Sequence, residues 1–371
     1  MIKILYTIPN FITAGSGRVL ANIVNGLDRT KFEPTVCVSK RGGQIEAELE
    51  ANGVRVLEFP FTVHAKPYLS LIARLRKVAS FFEPFPFDLW HSFHYADDYT
   101  EPLIAHFSGA KAWVYTKKSM MWGSRAWVLR SLLASRIVAD NHDMPQMFFN
   151  NYNLSKKVRI IPHGVYLNIF RPFEIDNNAF RATSELSEEA ILVGLIAHIV
   201  PVKGHAILIE AAAHLPQVHL MFAGRTNDQE CFYHLKNLAE TLQISHRVHF
   251  LGDVSNVPEF LAQMDIVAMP TTGRGEGCPV ALLEAMACGK ACVATNVPGS
   301  RGIIEDGISG LLVEPENADA LAKAINRLIE EKDLREKMGK AARKRVETSF
   351  SIEREVAAHE QLYLELMGGK R

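Results

Sequence analysis

Apolar residues fall in short, nearly continuous runs along this chain, separated by stretches in which apolar positions recur at helical spacing. Runs at Ile2–Ile8, Pro34–Ser39, Val54–Glu58, Leu89–Ser92, Ala112–Thr116, Arg136–Ala139 and Val158–Ile161 predict strands. Continuity, rather than strict alternation, marks strands buried on both faces, as in a parallel sheet covered by helices. The pattern restarts at Ile191–Ala197 and continues through His219–Ala223, Val248–Leu251, Ile266–Met269, Ala291–Ala294 and Gly310–Val313. Arg171-Pro172-Phe173, followed by the polar Glu174–Ser184, falls between the two series. We therefore expect two α/β, doubly wound, Rossmann-like domains, residues 1–172 and 173–351, facing across a cleft with ligand at the carboxyl ends of the strands.

Length and composition agree with that division. A chain of 371 residues is too long for one ordinary core, and 48% hydrophobic with 22% charged residues is the balance of a globular protein. No run of about 18 apolar residues predicts a membrane-spanning helix. Met1–Tyr6 reads as a buried strand without a signal-peptide pattern, and five cysteines without paired motifs suit reduced thiols, so a cytoplasmic setting is expected. Net charge is zero, but residues 1–172 hold 21 Lys+Arg against 13 Asp+Glu, and the remainder holds the opposite excess. The basic half calls for an anionic partner; without a nucleic-acid motif, a membrane surface or a phosphate-bearing acceptor fits better. Two basic, apolar stretches, Lys66–Phe82 and Lys117–Arg136, can either pack on the sheet or lie among lipid headgroups; each alone is read as packing on the sheet, and the half-chain charge moves the pair toward the headgroups.

The richest chemistry lies in Gly275-Glu276-Gly277-Cys278-Pro279-Val280-Ala281-Leu282-Leu283-Glu284-Ala285-Met286-Ala287-Cys288-Gly289. Pro279 suits the first turn of a helix and Gly289 its left-handed stop. The backbone N–H groups of Cys278, Val280 and Ala281, around Pro279, which has none, lie at the positive end of the helix dipole and would hold a diphosphate. Glu276 and Glu284 would then grip hydroxyls on either side, because a carboxylate only accepts hydrogen bonds. Hydroxyls flanking a diphosphate describe a sugar nucleotide.

With Val293-Ala294-Thr295 and Pro298-Gly299 beyond it, this segment resembles the Glu-x7-Glu signature of the retaining glycosyltransferases of GT-B fold, family 4, group 1. The resemblance implies an acceptor-binding first domain, a nucleotide-sugar-binding second domain, and a closing helix, Ile352–Met367, that returns to the first domain. It places Gly15 and Gly17, in the loop after the first strand, against the donor phosphates, together with Lys203. His198 stands where the family has arginine, with Arg225 and Arg274 as nearby cations. Lys118 stands where the family has a histidine beside the reacting sugar, and His91 and His94 are expected to point into the cleft. His163 and Tyr166 replace the Asn and Asp of the family's hinge. The implied chemistry is transfer of a hexosyl group to an acceptor hydroxyl with retained configuration, in cell-envelope polysaccharide or glycolipid synthesis. It needs no cofactor and no metal, since Asp97-Asp98 is no Asp-x-Asp element. Glu276, Lys203, His91 and Lys118 are the catalytic candidates. A sugar-nucleotide-binding protein with little turnover, or an epimerase on the same fold, are the alternatives. A nicotinamide dehydrogenase fits poorly, because Gly15-x-Gly17 lacks the third glycine.

Overall fold

The computed structural model describes residues 1–12, 14–173, 186–187, 189–273 and 276–368. The chain divides into two compact units, Met1–His163 with Ile352–Arg371, and Gly164–Ser351. The division falls at His163, not at the expected Pro172. The cause is local to the second unit: Val165 N–H donates to Phe350 O at 2.9 Å, and Arg343 Nη1 donates to Phe170 O at 2.7 Å. These bonds bind residues 164–172 to the second unit. The polar Glu174–Ser184 lies outside the described residues.

Unit 1 is built on β1 (Ile2–Ile8), β2 (Phe32–Val38), β3 (Arg55–Glu58), β4 (Leu89–Ser92), β5 (Ala112–Lys117), β6 (Arg136–Ala139) and β7 (Val158–Ile160), ordered β3-β2-β1-β4-β5-β6-β7. Every pairing is parallel, with Ile4 opposite Pro34 on one side and Leu89 on the other. The strand residues are buried through β4 and β5, so the runs were apolar because both faces are covered. The connecting helices are α1 (Ala14–Gly26), α2 (Gln44–Ala51), α3 (Leu71–Phe82), α4 (Thr100–Phe107) and α5 (Ala126–Leu133).

Unit 2 repeats the plan with β8 (Ile191–Ile196), β9 (Val218–Ala223), β10 (Val248–Gly252), β11 (Ile266–Met269), β12 (Ala291–Thr295) and β13 (Leu311–Val313), ordered β10-β9-β8-β11-β12-β13. Its helices are α6 (His205–Ala213), α7 (Gln229–Thr241), α8 (Val257–Gln263), α9 (Val280–Ala287), α10 (Pro298–Ile303), α11 (Ala318–Glu330) and α12 (Lys332–Ser349). Asp228, Asn256 and Asn317 cap α7, α8 and α11 through side-chain oxygens on first-turn N–H groups. The last helix, α13 (Ile352–Gly368), belongs to unit 1, where Tyr363 is buried and its hydroxyl pairs with the Tyr6 hydroxyl at 3.0 Å. Val356 of α13 packs so closely on α1 that a Cβ at Gly26 would lie 2.6 Å from its Cγ2.

In both sheets the strand order reverses once, between β1 and β4 and between β8 and β11. Loops leaving the carboxyl ends of those neighbours diverge to opposite faces and leave a crevice, where ligands bind in open parallel sheets.

Candidate active site

The loops after β8 and β11 in unit 2 carry the charged residues singled out in the sequence. Lys203 ends a 3-10 turn, Pro201–Lys203, whose geometry depends on Gly204. Gly204 is left-handed at φ +74°, and a Cβ there would meet Pro270 O at 1.9 Å, so the β8 and β11 loops touch through bare backbone. Thr272 N–H donates to Val202 O at 2.8 Å across the same seam. Held this way, Lys203 Nζ pairs with Glu276 Oε1 at the switch point. The second oxygen, Glu276 Oε2, is buried and has no hydrogen-bond partner among the described residues. A buried carboxylate oxygen without a partner is costly unless a ligand or water donates to it.

Glu276 leads directly into α9. Pro279 occupies the N-cap position, one residue before the expected first helical turn, and contributes no side-chain cap. Helix α10 closes over this loop: a Cβ at Gly299 would lie 2.8 Å from Glu276 O and 3.2 Å from Gly277 O. Gly277, Cys278 and Pro279 are buried, whereas Val280, Ala281 and Glu284 form the half-buried side of the helix. Glu284 thus sits one turn beyond Val280, on the side of α9 turned away from the core. Gly289, at φ +73°, ends the helix, with its N–H on Met286 O at 3.0 Å.

His198 joins this group. Its Nδ1 is buried without a partner among the described residues. Burial lowers its pKa, and the charges of Lys203 and Arg225 lower it further, against the opposing pull of Asp253 and Glu276. The imidazole is therefore neutral near pH 7. Arg225 makes an ion pair with Asp253, so its charge is already shared with a carboxylate on the β10 loop. Arg225 is thus one of the cations near this site, half exposed and paired with Asp253. Arg274 and Gly275 lie outside the described residues. The structure thus gathers His198, Lys203, Arg225 and Glu276 at the carboxyl edge of one sheet. Asp253 is the member that sequence reasoning missed; its only signal is its place just after a strand-end glycine.

The unit 1 candidates fare differently. Gly15 and Gly17 belong to the first turns of α1, not to a loop before it. A Cβ at Gly17 would press on Phe11 Cδ1 at 3.0 Å, which explains that glycine by packing, whereas Gly15 faces open space. His91 is fully buried, its Nδ1 2.7 Å from the Tyr363 hydroxyl and its Nε2 2.8 Å from Thr116 Oγ1. It is a structural residue tying β4 to β5 and α13, not a catalyst. His94 is mostly buried, 3.8 Å from Glu101 Oε2, and burial lowers its pKa. Beside it lies a buried ion pair, Arg130 Nη2 to Glu101 Oε2 at 3.2 Å, with Arg130 also donating to Ser92 Oγ, His94 O and Asp98 O. This network braces the loop that leaves β4.

Lys118 donates to Phe93 O at 2.6 Å and lies 4.8 Å from the Tyr95 ring centroid; burial lowers its pKa to about 7. Asp140, just after β6, is buried and its pKa is raised to about 7 by burial, against the pull of His163, Lys117 and Lys118. His163 Nδ1 lies 3.0 Å from Glu355 Oε1, and Nε2 3.7 Å from Asp140 Oδ2. Burial acts to lower the His163 pKa, but the Glu355 hydrogen bond and the two carboxylate charges outweigh it and hold it above the usual value. His163 is thus held between two acids inside unit 1. Among the described residues, no group of three or more His, Cys, Asp or Glu side chains is placed to hold a metal ion.

Residues 176–345 match the family described as Glycosyl transferases group 1, and residues 13–168 match Glycosyltransferase Family 4. The chain belongs to the group 1 glycosyltransferases. This family member is 30% identical over 236 residues to a D-inositol 3-phosphate glycosyltransferase of Geodermatophilus obscurus, covering 60% of this chain and 51% of that one. It therefore spans only about half the length of the first curated relatives it matches. It is 24% identical over 276 residues to the UDP-Gal:alpha-D-GlcNAc-diphosphoundecaprenol alpha-1,3-galactosyltransferase of Escherichia coli, covering 72% of this chain and 70% of that one. Its fold is that of Anabaena HepE, solved in complex with UDP and glucose, at a TM-score of 0.83 and 22% identity over 99% of this chain and all of that one.

Proposed function

We propose that the protein transfers a hexosyl group from a nucleoside-diphosphate donor to an acceptor hydroxyl, with retained configuration and without a metal. The observation that carries this reading is the Lys203–Glu276 pair at the β8/β11 switch point, beside the start of α9, with Glu276 Oε2 left unsatisfied. The diphosphate is placed against the first-turn N–H groups of α9 and the Lys203 ammonium, which offset the charge that grows as the sugar departs. Glu276 Oε2 accepts from a donor-sugar hydroxyl, and Glu284 from the ribose. As the bond from the anomeric carbon to the diphosphate oxygen breaks, the acceptor oxygen bonds to that carbon on the same face. Its proton passes to the departing phosphate, so no protein nucleophile is required.

Unit 1 then receives the acceptor, with Lys118 near the carboxyl end of β5 as the residue poised to meet it. The UDP-galactose donor and lipid-linked acceptor in the Escherichia coli relative's name support a nucleotide sugar and a lipid-linked or envelope glycan here. The excess of cations in the first half supports work at an anionic membrane surface on the cytoplasmic side. A second reading, donor binding with little turnover, is favoured by one observation: among the described residues His198 is neutral where the family has arginine, and Lys203 and Arg225 are each paired with a carboxylate. Transfer from UDP-, GDP- and ADP-hexoses to water and to lipid-linked sugars, measured in EDTA, separates the two. Turnover lost in Lys203→Ala and Glu276→Ala supports transfer; tight nucleotide binding without turnover supports the second.

A further inference from the structure

The segment Tyr68 to Ile72 presents three large apolar side chains to solvent: Tyr68 is 63% exposed, Leu69 105% and Ile72 59%. They are not displaced core residues, since α3 buries Leu75, Ala79 and Phe82 on its opposite side. Nor is the segment loosely held. Arg74 of α3 reaches back to donate to Pro67 O at 2.7 Å and Ala65 O at 3.3 Å, and also to His64 O, locking the turn that carries Leu69. The fold therefore holds these side chains outward.

Their surroundings are cationic. Lys66 precedes the apolar group, and Arg76 and Lys77 follow it on the exposed side of α3, with Arg76 in line with Leu69 and Ile72 at helical spacing. No Asp or Glu occurs between Glu58 and Glu83. Arg76 lies 5.6 Å over the ring of Phe107 on α4, which extends the surface to the next helix, and α5 adds the exposed Leu132. Across α3, α4 and α5 the only carboxylate is Glu101, fully buried against Arg130. One helical layer of unit 1 thus shows exposed leucine, isoleucine and aromatic side chains among cations, with no exposed acid on these three helices.

We propose that this face, led by Tyr68, Leu69 and Ile72, seats on an anionic lipid bilayer. The inference rests on the reading that unit 1 works at a membrane, and it names the surface that does so. Apolar tips enter the boundary between headgroups and acyl chains while Lys66, Arg76 and Lys77 meet the lipid phosphates. A second copy of the chain is a poor occupant, because a symmetric pairing would set these cations against their own equivalents. No helix of the described residues is long and apolar enough to cross a membrane, so attachment through this face would be interfacial.

The test is co-sedimentation of the whole chain with vesicles of phosphatidylglycerol and phosphatidylcholine, and of phosphatidylcholine alone. The wild type should partition to the anionic vesicles, at least tenfold less to the neutral ones, and less at high salt. Leu69→Glu with Ile72→Glu should lower partition at least tenfold. Lys66→Gln, Arg76→Gln and Lys77→Gln together should lower it about a hundredfold, at roughly fivefold per cation. Tyr233→Glu, an exposed residue of unit 2, should change nothing. Unchanged melting temperatures and nucleotide binding show that the variants are folded. A wild type that ignores anionic vesicles overturns the membrane reading itself. A wild type that binds while the Leu69/Ile72 variant binds equally overturns only this face. Self-association in lipid-free buffer that the same variant abolishes makes the face an interface between copies, and also overturns the proposal.

Discussion

Replacing Glu276 by glutamine should tighten the binding of a nucleoside diphosphate while slowing sugar transfer. In the structure Glu276 holds the Lys203 ammonium, so an incoming diphosphate competes with it for the same cation. The side chains of Lys203 and Glu276 are 15% and 28% exposed, which places the pair between surface and interior. Solvent screening discounts it to the upper end of the range for exposed pairs, about 1 kcal/mol. Freed of that competition, the diphosphate should bind about threefold to fivefold more tightly in Glu276→Gln. Lys203→Ala instead removes a charge-assisted bond worth about 1.5–3 kcal/mol, and should weaken the same ligand at least tenfold. The amide of Glu276→Gln is a weaker acceptor for the sugar hydroxyl, so turnover should fall at least tenfold while nucleotide affinity rises. Calorimetric titration of UDP, GDP and ADP in EDTA gives the affinities, and transfer from the matching hexose nucleotide gives the rates. The reasoning is refuted if Glu276→Gln weakens the nucleotide as much as Lys203→Ala does, because Glu276 would then be a nucleotide contact rather than a competitor for the lysine.

Three further outcomes follow from unit 1. His91→Ala should take its partner from the Thr116 hydroxyl and leave the Tyr363 hydroxyl with Tyr6 alone, costing about 1–3 kcal/mol for each bond left unmade and lowering the melting temperature with nucleotide affinity intact; loss of turnover at unchanged stability would restore a catalytic role. Arg130→Met should cost about 3–5 kcal/mol in denaturant unfolding, because Glu101 remains as an unpaired buried charge, and adding Glu101→Leu should recover part of that loss. Asp140 titrates near pH 7 in the folded protein but near 4 when unfolded, so its stabilising contribution is full below pH 4 and is lost as pH rises through 7. Asp140→Asn should therefore raise the melting temperature at pH 8 and change it little at pH 4; the reverse order would show that its ion partners outweigh its burial.

The strands were legible because they are parallel and buried on both faces, so that β4, β6 and β11 begin and end at the residues the apolar runs predict. The pairing of Lys203 with Glu276 was legible at one remove. Seventy-three residues separate them, but both follow strands, and only the strand order reveals that those strands are neighbours. Features that depend on distant contacts were not legible. Nothing near His91 signals a tyrosine 272 residues away, and nothing near Arg225 signals its pairing with Asp253. Gly15 and Gly17 misled for a local reason: glycines suggest a loop, yet α1 begins at Ala14 and encloses both. The unit boundary was misplaced because Pro172 is a conspicuous chain breaker, whereas the bonds from Val165 and Phe170 to the end of unit 2 leave no composition signal.

The return of α13 to unit 1 bears on the order in which the protein can be assembled. The chain leaves unit 1 at His163 and re-enters it at Ile352, so the ribosome makes all of unit 2 before it supplies the helix that covers Tyr6 and His91. Domains usually mature in the order of synthesis. Here the first to begin is the last to be finished, and the surface of unit 1 that α13 will cover stays open throughout the making of unit 2. A chaperone waiting on a nascent chain would find that surface exposed, and a gene cut after unit 2 would leave it exposed for good. Unit 2, one continuous segment, carries no such debt to a later part of the chain.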